Sequence, residues 1–179
     1  MEVASGIGVP APPPGWDWRL CFRGPARRPP APPGVGGIGG AQMGILGTHF
    51  TLWEFRQKAR YGCPMDPYPL ARVTKHLLPL LCGVLEPIRR EIGRPVIITS
   101  AWRTPLYNRR CGGVPKSRHK HGDATDFQVP GLTAYEVHDI VLSMWRAGRL
   151  PELGALGRYR NFTHVDARPH RPGELVRWG

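Results

Sequence analysis

No run of apolar residues in this chain approaches the roughly 20 that a helix needs to cross a bilayer, so a transmembrane segment is not expected. The start, Met-Glu-Val-Ala-Ser-Gly, has neither a basic leader region nor a continuous apolar core, and an ordinary secretory signal is not expected either. Cys21, Cys63, Cys82 and Cys111 are widely separated and form no Cys-x-x-Cys pair, which argues against a zinc finger. Cys82 sits on an apolar helical pattern and reads as a small buried hydrophobe, while a Cys63–Cys111 disulfide is conceivable in an oxidising compartment. Acidic residues are scarce, 13 against 25 Lys and Arg, for a formal charge of +12. That excess favours polyanions as partners: nucleic acid, anionic lipid, or envelope polymers bearing phosphate and carboxylate. No basic run interleaved with aromatics and no nucleic-acid motif is present, so specific nucleic-acid binding is not expected.

What is present falls into two parts. Residues 1–47 hold Ala-Pro-Pro-Pro, Arg-Arg-Pro-Pro-Ala-Pro-Pro and Gly-Val-Gly-Gly-Ile-Gly-Gly, which cannot bury enough apolar surface to offset the entropy of ordering. This stretch is read as a flexible, partly polyproline arm with at most a transient anchor at Trp16, Trp18, Leu20 and Phe22. The arm carries Arg19, Arg23, Arg27 and Arg28 against Glu2 and Asp17, or +2, leaving +10 of the +12 on residues 48–179. Those residues have the length and patterning of one globular domain.

Within the domain, Leu70, Val73, Leu77, Leu80, Leu81, Val84, Leu85, Ile88 and Ile92 recur at helical spacing. They predict an amphipathic helix over most of 69–92, ended by Gly93 and kinked or broken at Pro79 and Pro87. Residues 95–100, Pro-Val-Ile-Ile-Thr-Ser, read as a short buried strand. Thr133-Ala-Tyr-Glu136 matches a capping box and opens a second helix with a stripe of Val137, Ile140, Val141, Met144 and Trp145, stopped by Gly148. The fold class expected is α+β, with helices packed on one side of a small antiparallel sheet.

The chemistry gathers in Ser117-Arg-His119-Lys-His-Gly122-Asp-Ala124-Thr-Asp126 and in Asn161-Phe-Thr-His164-Val-Asp166. Period-two alternation puts Ala124, Asp126 and Gln128 on one face of one strand, and Phe162, His164 and Asp166 on one face of another. If the strands share an antiparallel sheet, Asp126 and His164 point at one spot, and His119 reaches it by folding over Gly122. Two His and one Asp leave a fourth position open, as catalytic zinc sites do. A buried carboxylate at Asp126 is costly unless a cation neutralises it. His138, within a helix, and His170, in a Pro/Arg-rich tail, compete less well than His164 as third ligand. His121 is read as exposed or as a contact for envelope anions.

The pattern Ser-x-His-x-x-Gly-x-Ala-x-Asp, followed by a later His in an apolar strand, resembles the zinc D-Ala-D-Ala carboxypeptidases and their relatives. That superfamily includes lysostaphin-type endopeptidases, vancomycin-resistance dipeptidases and the hedgehog signalling domain. The resemblance runs from about Phe50 to Trp178. It implies Zn²⁺ held by His119, Asp126 and His164, and action on peptidoglycan stem peptides or their cross-links. Thr99-Ser-Ala-Trp-Arg-Thr-Pro-Leu-Tyr-Asn108 resembles the segment that precedes the metal motif in this family, where an arginine faces the substrate. Arg103 is therefore the expected clamp for a developing oxyanion or a terminal carboxylate. Ser117 is a candidate to hydrogen-bond the substrate or to hold the turn, and Tyr107 and Asn108 are read as shaping their loop. Many family members place Glu or Asp three residues before the last histidine as general base, and this chain has Asn161 there. Asp166 is the nearest replacement, with Asp123 behind it, although Asp166 fits equally as a partner that orients a ligand.

The leading expectation is a zinc peptidase cutting D-amino-acid-containing bonds of peptidoglycan, as a carboxypeptidase or a cross-link endopeptidase. Action at the cell wall or periplasm is expected, with phage-type release as one delivery route and the positive charge aiding adhesion to an anionic envelope. A non-catalytic zinc-binding module of the same fold is the alternative, favoured by Asn161. A nucleic-acid-binding accessory protein ranks third.

Overall fold

The sheet that carries both strand motifs has five strands: β1 (Ile97–Ser100), β2 (Ala124–Gln128), β3 (Ala155–Arg158), β4 (Thr163–Asp166) and β5 (Val176–Trp178). Their spatial order is β1-β2-β4-β3-β5. A computed structural model describes residues 47–179. The arm expected over 1–47, with its aromatic anchor, lies outside the described residues but for Gly47.

The fold is α+β. The first four strands pair antiparallel, as expected, but β5 runs parallel to β3, so the sheet is mixed. Period-two alternation sorts it into two faces. Ile98, Phe127, Leu156 and Val165 lie on one face and belong to the apolar core; Asp126, His164, Gly157 and Trp178 are in register on the other. β1 lies at an edge and is only half buried, with Ile97 48% exposed, so it is not the fully buried strand that its composition predicted.

Helices cover the apolar face. The run over 70–92 remains helical through both prolines. A π turn, Val73–Leu77, precedes Pro79, and a second, Leu81–Leu85, precedes Pro87. A proline lacks the donor for the bond four residues back and crowds that carbonyl; widening the preceding turn relieves the clash without breaking the run. Leu77, Leu80, Leu81, Val84, Leu85 and Ile88 are sealed in the core, whereas Leu70, at the first turn, is 51% exposed. Gly93, left-handed, ends the run. Ala134–Arg146 forms the other expected helix, behind the Thr133/Glu136 capping box, with Val137, Val141 and Met144 buried. Cys82 is half-buried against the core rather than sealed in it. Cys63 and Cys111 are both free, so the conceivable disulfide between them is not formed. Among the described residues no helix is long and apolar enough to cross a membrane.

Candidate metal centre

β2 and β4 pair so that Asp126 stands directly opposite His164. Opposed residues of an antiparallel pair share a face, so the imidazole and carboxylate are brought together by register alone. His164 Nδ1 lies 2.7 Å from Asp126 Oδ1. β1 adds Ser100 to the same face: Ile98 pairs with Phe127 and Ser100 with Asp126, leaving Thr99 as an extra, bulged residue.

His119 arrives from outside the sheet, on the 3-10 turn Arg118–Lys120. Backbone contacts fix that turn. Arg72 donates to the carbonyls of Lys120 (3.1 Å) and His121 (3.0 Å), and the Tyr68 hydroxyl donates to the Gly122 carbonyl at 2.8 Å. Gly122 has φ 87°, and a Cβ there would meet the Tyr68 hydroxyl at 2.4 Å, so the motif's glycine answers both to a left-handed backbone and to a close neighbour. His119 Nδ1 bonds the Ala101 carbonyl at 2.7 Å, which leaves Nε2 facing Asp126 Oδ1 at 3.2 Å. The two imidazoles meet edge to face with centroids 5.1 Å apart.

One donor atom from each of His119, Asp126 and His164 lies within 4.8 Å of the others, and all three residues are buried. Each imidazole also has its second nitrogen tied to an acceptor: His119 to Ala101 O and His164 Nε2 to Asp166 Oδ2 at 3.2 Å. Metal-ligating histidines are oriented in this way, and a set of two nitrogens and one oxygen suits Zn²⁺. Burial alone would raise the Asp126 carboxyl, but His119 and His164 hold it far below the usual carboxylate range. Burial pushes His119 down, toward the neutral form that a metal requires. For His164 burial also opposes the charge, yet hydrogen bonds to Asp126 and Asp166 outweigh it and the net shift is upward.

The other residues singled out in the sequence take definite places. Arg103 donates from Nη2 to Asp126 Oδ2 at 2.6 Å and from Nε to Ser100 Oγ at 2.9 Å, so it grips the carboxylate from the side away from the histidines. Asp166 is fully buried, and Arg168 engages it twice, at 2.8 Å from Nε and 2.6 Å from Nη2, while its Oδ2 faces His164. Burial would raise the Asp166 carboxyl, but Arg168 and His164 draw it well below its ordinary value. Asp123 is buried against Arg118, with His76 Nδ1 3.8 Å from its Oδ2. Asn161 is exposed and its carbonyl accepts from Gln128 Nε2. His138 bonds Asp139, and His170 bonds the carbonyls of Arg168 and Pro151; neither joins the cluster. His121 is exposed. Asn108 donates to the carbonyls of Gly113 (3.1 Å) and Val114 (3.0 Å), tying down the loop that leads to Ser117.

The cluster forms the floor of an open cleft of about 950 Å³. Arg60, Arg103, Lys116, Arg118 and Arg168 line it, as do Ser117 and Cys111; among the described residues Asp126 is its sole carboxylate. Tyr159, Phe162 and Trp178 line it too, with the Arg168 guanidinium 5.8 Å from the centre of the Trp178 ring. Sequence reasoning missed Arg168, although Asp166-Ala-Arg168 places it two residues along on the same side of the chain. It also missed Trp178, whose ring lies 5.2 Å from that of His164. Only the pairing of β5 with β3 brings Trp178 there, and no local pattern announces it.

Among curated proteins no match to the chain was found. A family model described as Peptidase M15 matches residues 49–166, a span that holds Arg103, Ser117, the three clustered donors and Asp166. With that match covering well over half its length, the chain belongs to the peptidase M15 family, metallopeptidases of the zinc D-Ala-D-Ala carboxypeptidase type.

Proposed function

We propose that this metallopeptidase hydrolyses D-amino-acid-containing peptide bonds of peptidoglycan, as a D-Ala-D-Ala carboxypeptidase or a cross-link endopeptidase. The observation that carries the reading is a buried His119–Asp126–His164 donor set on the floor of a cleft whose charged wall is cationic. Stem peptides present free carboxylates, and a wall of Arg60, Lys116 and Arg103 favours such a chain over a neutral one.

In this reading His119 through Nε2, His164 through Nδ1 and Asp126 through Oδ1 hold Zn²⁺. Zinc bound there supplies a Lewis acid that polarises the scissile carbonyl and acidifies water. Arg103 keeps Asp126 turned toward the histidines and presents its guanidinium to the substrate's carbonyl oxygen or terminal carboxylate. Ser117, on the cleft wall, offers a hydroxyl to the substrate backbone. Asp166 we assign to positioning rather than to proton abstraction: Arg168 and His164 occupy both its oxygens, and it does not line the cleft. It fixes the His164 tautomer, so that Nδ1 is the free nitrogen. Among the described residues Asp126 is the sole carboxylate lining the cleft, so no second carboxylate there is placed to carry the proton from the attacking water to the leaving amine.

That same lack of a second carboxylate on the cleft wall supports the alternative, a zinc-binding module that grips wall peptides without cutting them. Digestion of purified muropeptides, followed by mass spectrometry with and without chelator, separates the two. Chelator-sensitive release of D-Ala or of a cleaved cross-link supports the peptidase. Stoichiometric zinc with every muropeptide left intact would overturn it in favour of the module.

A further inference from the structure

The aromatic residues of the cleft contribute no donor to the metal centre, and their arrangement is specific. Tyr159 and Phe162 stack with ring centroids 4.3 Å apart and planes 18° from parallel. Trp178 continues the surface, donating from Nε1 to the Tyr159 hydroxyl at 2.8 Å and packing against the ring of His164. The backbone makes room for it: Trp178 pairs with Gly157 across β3 and β5, and a Cβ at Gly157 would meet the indole at 2.6 Å. Glycine at 157 thus lets an indole lie against the sheet from the edge strand toward the metal ligands. Tyr159 is nonetheless 40% exposed, so the shelf is open to a ligand rather than closed as core.

A stem peptide does not explain this wall. Its residues carry small or charged side chains, whereas a flat aromatic surface is complementary to a broad face of C–H bonds. In peptidoglycan the group with such a face is the pyranose ring of the glycan. Polar groups at the shelf suit a sugar as well. The Tyr159 oxygen accepts from Trp178, which leaves its O–H to donate, and Gln128 has its amide nitrogen engaged by Asn161 O, which leaves Oε1 to accept. We infer that Tyr159, Phe162 and Trp178 form a glycan subsite, so that the substrate is a stem peptide still attached to its amino sugar. This deepens the peptidoglycan reading above and rests on it.

The test uses the full zinc-loaded chain and a matched pair of substrates: a disaccharide-linked stem peptide and the same peptide freed of its sugar. The linked substrate should show a kcat/KM about tenfold higher, the size of effect that one or two good aromatic contacts supply. Tyr159→Ala should bring the ratio toward one, Tyr159→Phe should keep most of it, and Tyr135→Ala, an exposed aromatic outside the cleft, should leave it unchanged. Equal kcat/KM for the two substrates, or an equal loss on both in Tyr159→Ala, would overturn the subsite. If neither substrate is cut, the hydrolase reading fails while the subsite is still decided by titrating an oligomer of N-acetylglucosamine into the protein. Binding by the natural chain that Tyr159→Ala abolishes supports it, and no binding overturns it.

Discussion

Asp126 and Phe127 are consecutive residues of β2 and belong to different worlds. Phe127 is sealed under the helices with Ile98, Leu156 and Val165, while Asp126 shares the opposite face with His164 and Trp178. The helix-covered face is held by non-directional burial and tolerates any apolar residue of suitable volume. The cleft face is held by oriented pairs, Arg103 to Asp126, Asp166 to His164 and Arg168 to Asp166, each of which fails if one partner is lost. One strand thus separates stability from chemistry with a spacing of a single residue.

Adjacent substitutions break or sharpen that division. Asp126→Asn should have the largest effect on function: zinc content by plasma mass spectrometry falls from stoichiometric to background, and zinc no longer raises the melting temperature as it does for the natural chain. Circular dichroism should show the fold intact. Phe127→Ala should do the reverse, costing about 3–5 kcal/mol in urea unfolding while the surviving folded fraction still takes up zinc. A stable Phe127→Ala protein that had lost zinc would remove the distinction between the faces. Asp166→Asn should fall between them, weakening zinc affinity about 10–100-fold through a misoriented His164. With zinc saturating, its hydrolysis should largely recover; a kcat that stays at background would make Asp166 the proton acceptor instead. Thr133→Ala, outside the cleft lining, should cost only about 1 kcal/mol through loss of the helix cap, with zinc binding untouched.

These contrasts also account for what could be read in advance. The long helical stripe, the Thr133 cap and the strand at Ala124–Gln128 follow local periodicity and were legible without a structure. The convergence of Asp126 with His164 was legible because alternation assigns faces before pairing is known. β3, Ala155-Leu-Gly-Arg158, has no β-branched residue, and β5 has three residues in a tail rich in Pro and Arg; both exist through pairing with distant partners. The helix Pro105–Arg110 did carry a signal, Thr104 as cap before a first-turn proline, but six residues give no periodicity. Asp166 shows the limit most clearly. Its place on the same strand face as His164 was visible, yet whether it meets water or an arginine depended on Arg168 folding back over it.

The bulge at Thr99 has a consequence for how this chain tolerates length change. Because β1 spends one extra residue there, the segment that follows leaves the sheet out of step, with Ser100 facing the cleft and the Ala101 carbonyl reaching His119. Deleting Thr99 would restore regular pairing and still leave Ser100 opposite Asp126, whereas inserting one residue after Thr99 would turn the Ser100–Arg103 stretch away from Asp126. Of these two length changes the insertion should therefore be the far more damaging one.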